Sequence, residues 1–250
     1  RMSRTATIYK NRAGFTLIEL SLVLVIIGLV IGGVLVGQDL IKQASARKNI
    51  SELQQLQLAL KTFQLKYGCI AGDCVNATDL FGNYIPVTAS CTMPNGNGNG
   101  NGNNLIDDGG TGSWFCESRQ SIYSLVAASF LPKSRVTPCH TSSSYFKGVN
   151  DSCAYFYVDD VYSAITPRKN KNTISWAKYA ISWVQAPALS PNEAQAIDIK
   201  IDDGIPNKGK FFGLDAAPVD GGAIVVGSCF ASGVYNNSDA LSCRSVYYLD

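Results

Sequence analysis

The sequence predicts an α+β protein: one long N-terminal α-helix packed on an antiparallel β-sheet head with disulfide-braced loops. Three observations carry the prediction. A charge-free apolar run near the N-terminus continues into a stretch, Gln38 to Tyr67, that contains neither Pro nor Gly. At Gly68 the composition shifts to short runs punctuated by Gly, Asn, Ser, Pro and Cys. All eight cysteines lie beyond that point.

Charge narrows the function classes. Charged residues make up 16% of the 250 residues, against about 25% in an ordinary soluble domain. The formal balance is +2, yet Arg1, Arg4, Lys10 and Arg12 stand in the first 14 residues with no acid. The remainder is therefore net acidic and has no basic surface for non-specific nucleic-acid binding. A single histidine, His140, argues against His-dependent catalysis or metal binding. An even set of cysteines points to an exported, oxidised chain.

Leu20 to Gly37 is 18 residues without a charge. As a helix, Phe15 to Gly37 extends ~34 Å, enough for a hydrocarbon core of roughly 30 Å. The basic flank predicts a cytoplasmic N-terminus and an exported remainder. A secretory signal has a shorter apolar core followed by its cleavage site; here the small pair Ala13-Gly14 comes first. Glu19 is the anomaly, since a carboxylate at the centre of an apolar span costs about 3 kcal/mol. Its position near the edge lowers that cost, but it still calls for a partner cation, and its own span offers none.

Gly14-Phe15-Thr16-Leu17-Ile18-Glu19-Leu20 resembles the prepilin cleavage and methylation motif of type IV pilins and type II secretion pseudopilins. The shared features are a basic leader, a Gly before the cut, a Phe after it, an acid four residues on and an apolar run. The resemblance implies cleavage between Gly14 and Phe15 by a prepilin peptidase and N-methylation of Phe15. It also implies that the Glu19 carboxylate neutralises the Phe15 amine of a neighbouring subunit during assembly. Two buried opposite charges are far less costly together than apart. The implied organisation is a basic leader (1–14), a long helix (15–68) and a head (69–250). In the helix, residues 15–37 form the membrane span or filament core and 38–67 the amphipathic part.

Leu53, Leu56, Leu60, Phe63 and Tyr67 recur at helical spacing and make one face, and Gly68 is the expected stop. A helix over 15–67 is about 80 Å long, so its first half needs lipid or other copies of itself. Gly28/Gly32 and Gly33/Gly37 are small pairs that permit close helix approach. One common class of pilins carries a kinking Pro in this region. Val36 stands near that place, and no Pro occurs before Pro86. The departure shifts weight toward a pseudopilin, or a pilin whose helix loosens at glycines.

In the head, Ala154–Val158, Ala223–Val226 and Ser245–Leu249 read as strands, and Ser121–Ser129 and Ser190–Asp203 as helices. Ser190, Pro191 and Glu193 make a capping box with Pro in the first helical position, and Gly204 is the stop. The cysteines are Cys69, Cys74, Cys91, Cys116, Cys139, Cys153, Cys229 and Cys243. Many pairings are open; sequence-adjacent pairs are expected, namely 69–74, 91–116, 139–153 and 229–243. Zinc spacing is missing.

The run Asn95–Asn104 is low-complexity and reads as a turn or flexible loop. No cofactor is required. Calcium is the one candidate, through Asp107, Asp108, Asp202 and Asp203, with Asp215 and Asp220 if the fold gathers them. Some pseudopilins bind calcium in head loops. As a contiguous calcium loop the run fails, because the alternate positions are neutral asparagines. No GxSxG surrounds any serine, and Asn207-Lys208-Gly209-Lys210 lacks phosphate-loop spacing. Trp114, Trp176 and Trp183 read as core or rim residues.

The expected function is structural and non-enzymatic: a pilin or pseudopilin stored in the inner membrane as a single-pass protein. The inner-membrane assembly machinery then draws it into a helical homo-oligomeric filament, an extracellular pilus or a periplasmic pseudopilus. The alternative is a membrane-anchored or pilus-tip, adhesin-like protein whose head recognises a surface, a glycan or a secreted substrate.

Overall fold

The computed structural model describes residues 14–82, 99–107, 116–140, 143–148, 152–158, 171–179, 185–216 and 223–249. Helix α1 runs over Leu17–Tyr67. It starts at Leu17 rather than Phe15, because Thr16 caps it. It ends where Gly68 turns to a φ of 72° while donating its N–H to the Gln64 carbonyl, a left-handed stop that suits glycine.

Two compact units, Arg1–Gln43 and Ala44–Asp250, divide within this helix. The reason lies in the side chains. From residue 44 onward α1 buries Ala46, Leu53, Leu56, Ala59, Leu60 and Phe63 in the head's own core. In the first unit, the apolar side chains from Phe15 to Ile41 are exposed. Among the described residues, α1 is the one helix long and apolar enough to cross a membrane.

The head is α+β. Its helices are α2 (Ala77–Phe81), α3 (Cys116–Ala127) and α4 (Pro191–Ile201). The strands are β1 (Val136–His140), β2 (Ser143–Lys147), β3 (Cys153–Val158), β4 (Asn172–Tyr179), β5 (Gln185–Ala186), β6 (Phe211–Asp215), β7 (Phe230–Ala231), β8 (Val234–Tyr235) and β9 (Cys243–Tyr248). Among the described residues, one antiparallel sheet has the order β1-β2-β3-β4-β9-β6 with β5 beside β4, and β7-β8 form a separate hairpin.

Register decides which side chains meet the helix. Phe146, Ala154, Trp176 and Ser245 lie in one row across β2, β3, β4 and β9. Phe156, Ile174, Tyr247 and Phe211 make a second row on the same face. Apart from Ser245, both rows share one core with α1. The opposite face carries a smaller cluster of Phe212, Leu214, Val246 and Tyr248.

Both sheet edges are closed to a further strand. β1 contains Pro138 and an irregular register between Pro138 and His140. On β6 the N–H of Gly213 donates to the Pro206 carbonyl, and that of Phe211 donates to Asp202.

Three local expectations need correction. Ala223–Val226 is not a strand. Its Val225 N–H donates to Ala216, but Ile224, Val225 and Val226 are exposed and the chain then turns through Gly227 at a φ of 76°. With no partner strand among the described residues, these four apolar residues gain nothing from an extended conformation. α3 begins at Cys116 instead of Ser121 and ends before Ser129, whose φ of 63° places Phe130 N–H on Leu125 O. α4 ends at Ile201, and its capping box forms with both bonds, Glu193 N–H to Ser190 Oγ and Ser190 N–H to Glu193 Oε2.

One ion pair ties α1 to the sheet. Arg135 donates to Glu52 Oε1 and to the Lys147 carbonyl, and its guanidinium lies 4.3 Å from the Phe146 ring centre. Glu52 is 6% exposed, so it cannot turn to water when its partner is removed. Arg135→Met is expected to lower unfolding stability by about 3 kcal/mol through the stranded carboxylate. The double variant with Glu52→Gln should recover part of this loss, as read by denaturant midpoints of the detergent-solubilised chain.

Candidate functional site

The N-terminal segment is built by a local device. Gly14 and Phe15 precede the helix in non-helical backbone, and Phe15 is 81% exposed. The Thr16 hydroxyl accepts the Glu19 N–H at 3.3 Å. Glu19 Oε2 in turn accepts the Thr16 N–H at 2.8 Å and the Thr16 hydroxyl at 2.9 Å. This is a reciprocal capping box, T-x-x-E, that satisfies donors the first helical turn leaves unpaired. It fixes the carboxylate one turn from the Gly14–Phe15 bond. Thr16 is the member that sequence reasoning passed over, although its spacing from Glu19 is legible.

Beyond Glu19 the helix presents apolar side chains on every side. A Cβ placed on Gly28, Gly32, Gly33 or Gly37 would meet, beyond the helix's own backbone, no described atom within 4 Å. Among the described residues, no packing contact therefore requires glycine at these four positions.

The head's acidic residues gather in two separate places. Asp107 accepts the side-chain amides of Asn103 at 2.8 Å and Asn101 at 3.4 Å. Beside it are two carboxylates the sequence did not single out. Asp73 accepts the N–H groups of Gly102 and Asn104, each at 2.6 Å, and Asn103 at 3.2 Å. Glu117 accepts those of Asn101 at 3.0 Å and Asp107 at 2.9 Å. Residues 101–107 are thus wrapped on two buried carboxylates. Gly100 is obligatory in this wrapping, since a Cβ there would come within 2.3 Å of the Asp73 backbone.

Asp202 and Asp203 gather instead with Asp198, one helical turn before Asp202, and their oxygens lie within 4.8 Å of one another. Asp198 also accepts the Tyr235 hydroxyl at 2.8 Å and the Gly204 N–H at 3.1 Å. Asp215 is a third case: it holds Gly227 N–H and Cys229 N–H at 2.8 and 2.7 Å. Asp108 and Asp220 lie outside the described residues.

Burial raises the pKa of Asp73, against three backbone N–H bonds that lower it. Burial likewise raises Glu117 to about 8, with the Asp107 and Asp73 charges adding to the effect and the two N–H bonds opposing it. Asp198 rises to about 6 for the same leading reason, and its bonds to Tyr235 and Gly204 pull the other way.

Disulfides join Cys69 to Cys74 and Cys229 to Cys243. Cys116 and Cys153 are also disulfide-bonded. Cys91 and the Cys139 side chain, their expected partners, lie outside the described residues.

An exposed apolar helix led by a capped acid, in one chain with a disulfide-bonded α+β head, is consistent with membrane anchoring. Comparison with known families makes this specific: residues 9–35 match the model of the prokaryotic N-terminal methylation motif. The chain carries the prepilin-type motif of type IV pilins and pseudopilins on a pilin-like α+β fold. Nothing among curated proteins or among solved structures matches it. The motif supports a pilin-like or pseudopilin secreted subunit, of a kind that is structural rather than enzymatic. It implies processing by a prepilin peptidase and assembly into a pilus-type filament. Motif and helix together are consistent with membrane anchoring before assembly.

The raised carboxylates set a pH dependence. The unfolded chain releases the Glu117 proton near 4.5 and the folded chain near 8. Between these values the folded state binds more protons, so stability falls as pH rises, by at most ~1.4 kcal/mol per pH unit for this group. The contribution is complete below pH 4.5 and is lost as pH passes through 8. Melting scans in calcium-free buffer should show the decline above pH 6 in the native chain and a flatter profile in Glu117→Gln.

Proposed function

We propose that the protein is a structural subunit of a type IV pilus or a type II secretion pseudopilus, assembled through α1 after cleavage between Gly14 and Phe15. One observation carries the reading: the first half of α1 is apolar all round, and among the described residues nothing covers it. Before assembly, lipid covers it; in the filament, the helices of other copies do. The four glycines with no neighbour of their own suit that second environment, because a helix surface without side chains lets another helix come close.

Cleavage leaves a cationic amine on Phe15, and N-methylation keeps its charge. The Glu19 carboxylate, held by Thr16, supplies the opposite charge to the amine of an adjoining subunit. Either group alone in an apolar helical core is heavily penalised, so the pair selects subunits in matching register. The head then faces outward, with its cystines suited to an oxidising exterior.

Calcium belongs to the same proposal as a cofactor of the head. Asp202 and Asp203, joined by Asp198, offer the hard oxygen donors that calcium takes. Asp107 would act separately, with Asp73 and Glu117 beside it.

Two measurements test this. Mass spectrometry of filaments sheared from cells should find an N-terminal peptide that begins at methylated Phe15. Such a peptide confined to the envelope fraction indicates a periplasmic pseudopilin, and an intact leader everywhere leaves the anchored binding protein as the reading. Glu19→Ala should insert into the membrane normally but enter filaments at least about tenfold less, as an unpaired buried amine costs several kcal/mol; normal incorporation excludes the pairing role. For calcium, about 1 mM of the ion should raise the melting temperature of the native chain by mass action. Asp202→Asn with Asp203→Asn should abolish that rise, and a native chain indifferent to the ion removes calcium from the proposal.

A further inference from the structure

Where the second half of α1 crosses the sheet, the packing is not wholly apolar. A pocket of about 10 Å³ opens among Asn49 of α1, Trp176 of β4 and Ser245 of β9, walled by Leu53, Ile197 and Phe211. Three polar atoms of its lining side chains, Asn49 Nδ2, Trp176 Nε1 and Ser245 Oγ, are buried without a hydrogen bond; Ser152 also lines the pocket. Asn49 is 9% exposed, Trp176 7% and Ser245 1%. Trp176 and Ser245 are directly opposed across β4 and β9, so their side chains rise from the sheet together beneath the helix.

The chemistry of the three groups determines what fits between them. The indole N–H and the amide NH₂ are donors only. In the orientation the structure gives Asn49, the two donors cannot satisfy each other, and a buried donor left unmade costs about 1–3 kcal/mol. The serine hydroxyl could accept through its two lone pairs, but neither donor reaches it, since all three atoms are without a partner. An acceptor that also donates resolves all three, and water is the smallest group of that kind. The volume suits one molecule, since roughly 10–15 Å³ and two to four polar partners are what a single buried water needs. An anion matches the donors but not the walls, for Leu53, Ile197 and Phe211 give a charge no compensation.

We propose that this pocket is a single-water binding site that bridges α1 to β4 and β9. The water accepts from Asn49 Nδ2 and Trp176 Nε1 and donates to Ser245 Oγ. It gives the helix-to-sheet interface a directional contact amid side chains that would tolerate sliding. The proposal is independent of what the protein assembles into.

The test uses the full chain, ¹⁵N-labelled in detergent micelles, with the Trp176 indole resonance identified by its loss in Trp176→Phe. A cross-relaxation peak between that indole proton and long-lived water is expected. Asn49→Leu fills the pocket and should abolish the peak. Should that variant misfold, Ser245→Ala removes the acceptor of the water's proton and is expected to shift the indole resonance upfield. A native chain without the peak, or an indole shift that tracks chloride concentration, overturns the assignment; the second outcome makes the occupant an anion.

Discussion

An α-helix satisfies its own backbone but never its own apolar surface, and that limitation governs this protein. Along α1 the demand is met in two ways. From Ala46 to Phe63 one face is enough, because the sheet offers Phe146, Phe156, Ile174 and Tyr247 to cover it. From Leu17 to Ile41 the apolar residues go all the way round, which no single sheet can match. The division into two compact units within one continuous helix expresses this difference. The uncovered half opens on a carboxylate, Glu19, that Thr16 holds in place.

The head solves a complementary problem, that of burying polar groups without stranding them. Asp73, Glu117, Asp198 and Asp215 are all buried, and each receives N–H groups from a turn or loop. Carboxylates used this way act as internal caps for irregular backbone, which loses little by being wound around them. For Asp73, Glu117 and Asp198 the cost appears in their protonation, since burial opposes the charge these bonds favour.

What the sequence disclosed follows the range of the interactions involved. The apolar run, the GFTLIEL segment, the helical face ending at Tyr67 and the Ser190–Glu193 box are local signals, and each produced its element. The Thr16–Glu19 box is equally local, a T-x-x-E spacing whose signal is masked by the membrane cost of Glu19. Ala223–Val226 is ambiguous, since four apolar residues look alike in a strand and in an exposed turn; what separates them is whether a strand lies alongside, and among the described residues none does. Asp73 and Glu117 gave no signal at all. Their positions become meaningful only when residues 99–107 fold back over both, a contact spanning some 30 positions for Asp73. Asp198 was within reach, one turn from Asp202, yet its burial depends on Tyr235 arriving from a distant hairpin.

The closed sheet edges bear on crowding. Proteins that polymerise bring many copies of their folded part to very high local concentration, the condition under which open strand edges recruit one another. Here a proline and a register break interrupt one edge, and the chain's own oxygens occupy the donors of the other. Among the described residues, neither edge therefore offers a neighbouring head a ready ladder to extend. A sheet with sealed margins can be held at high local concentration without recruiting its own copies.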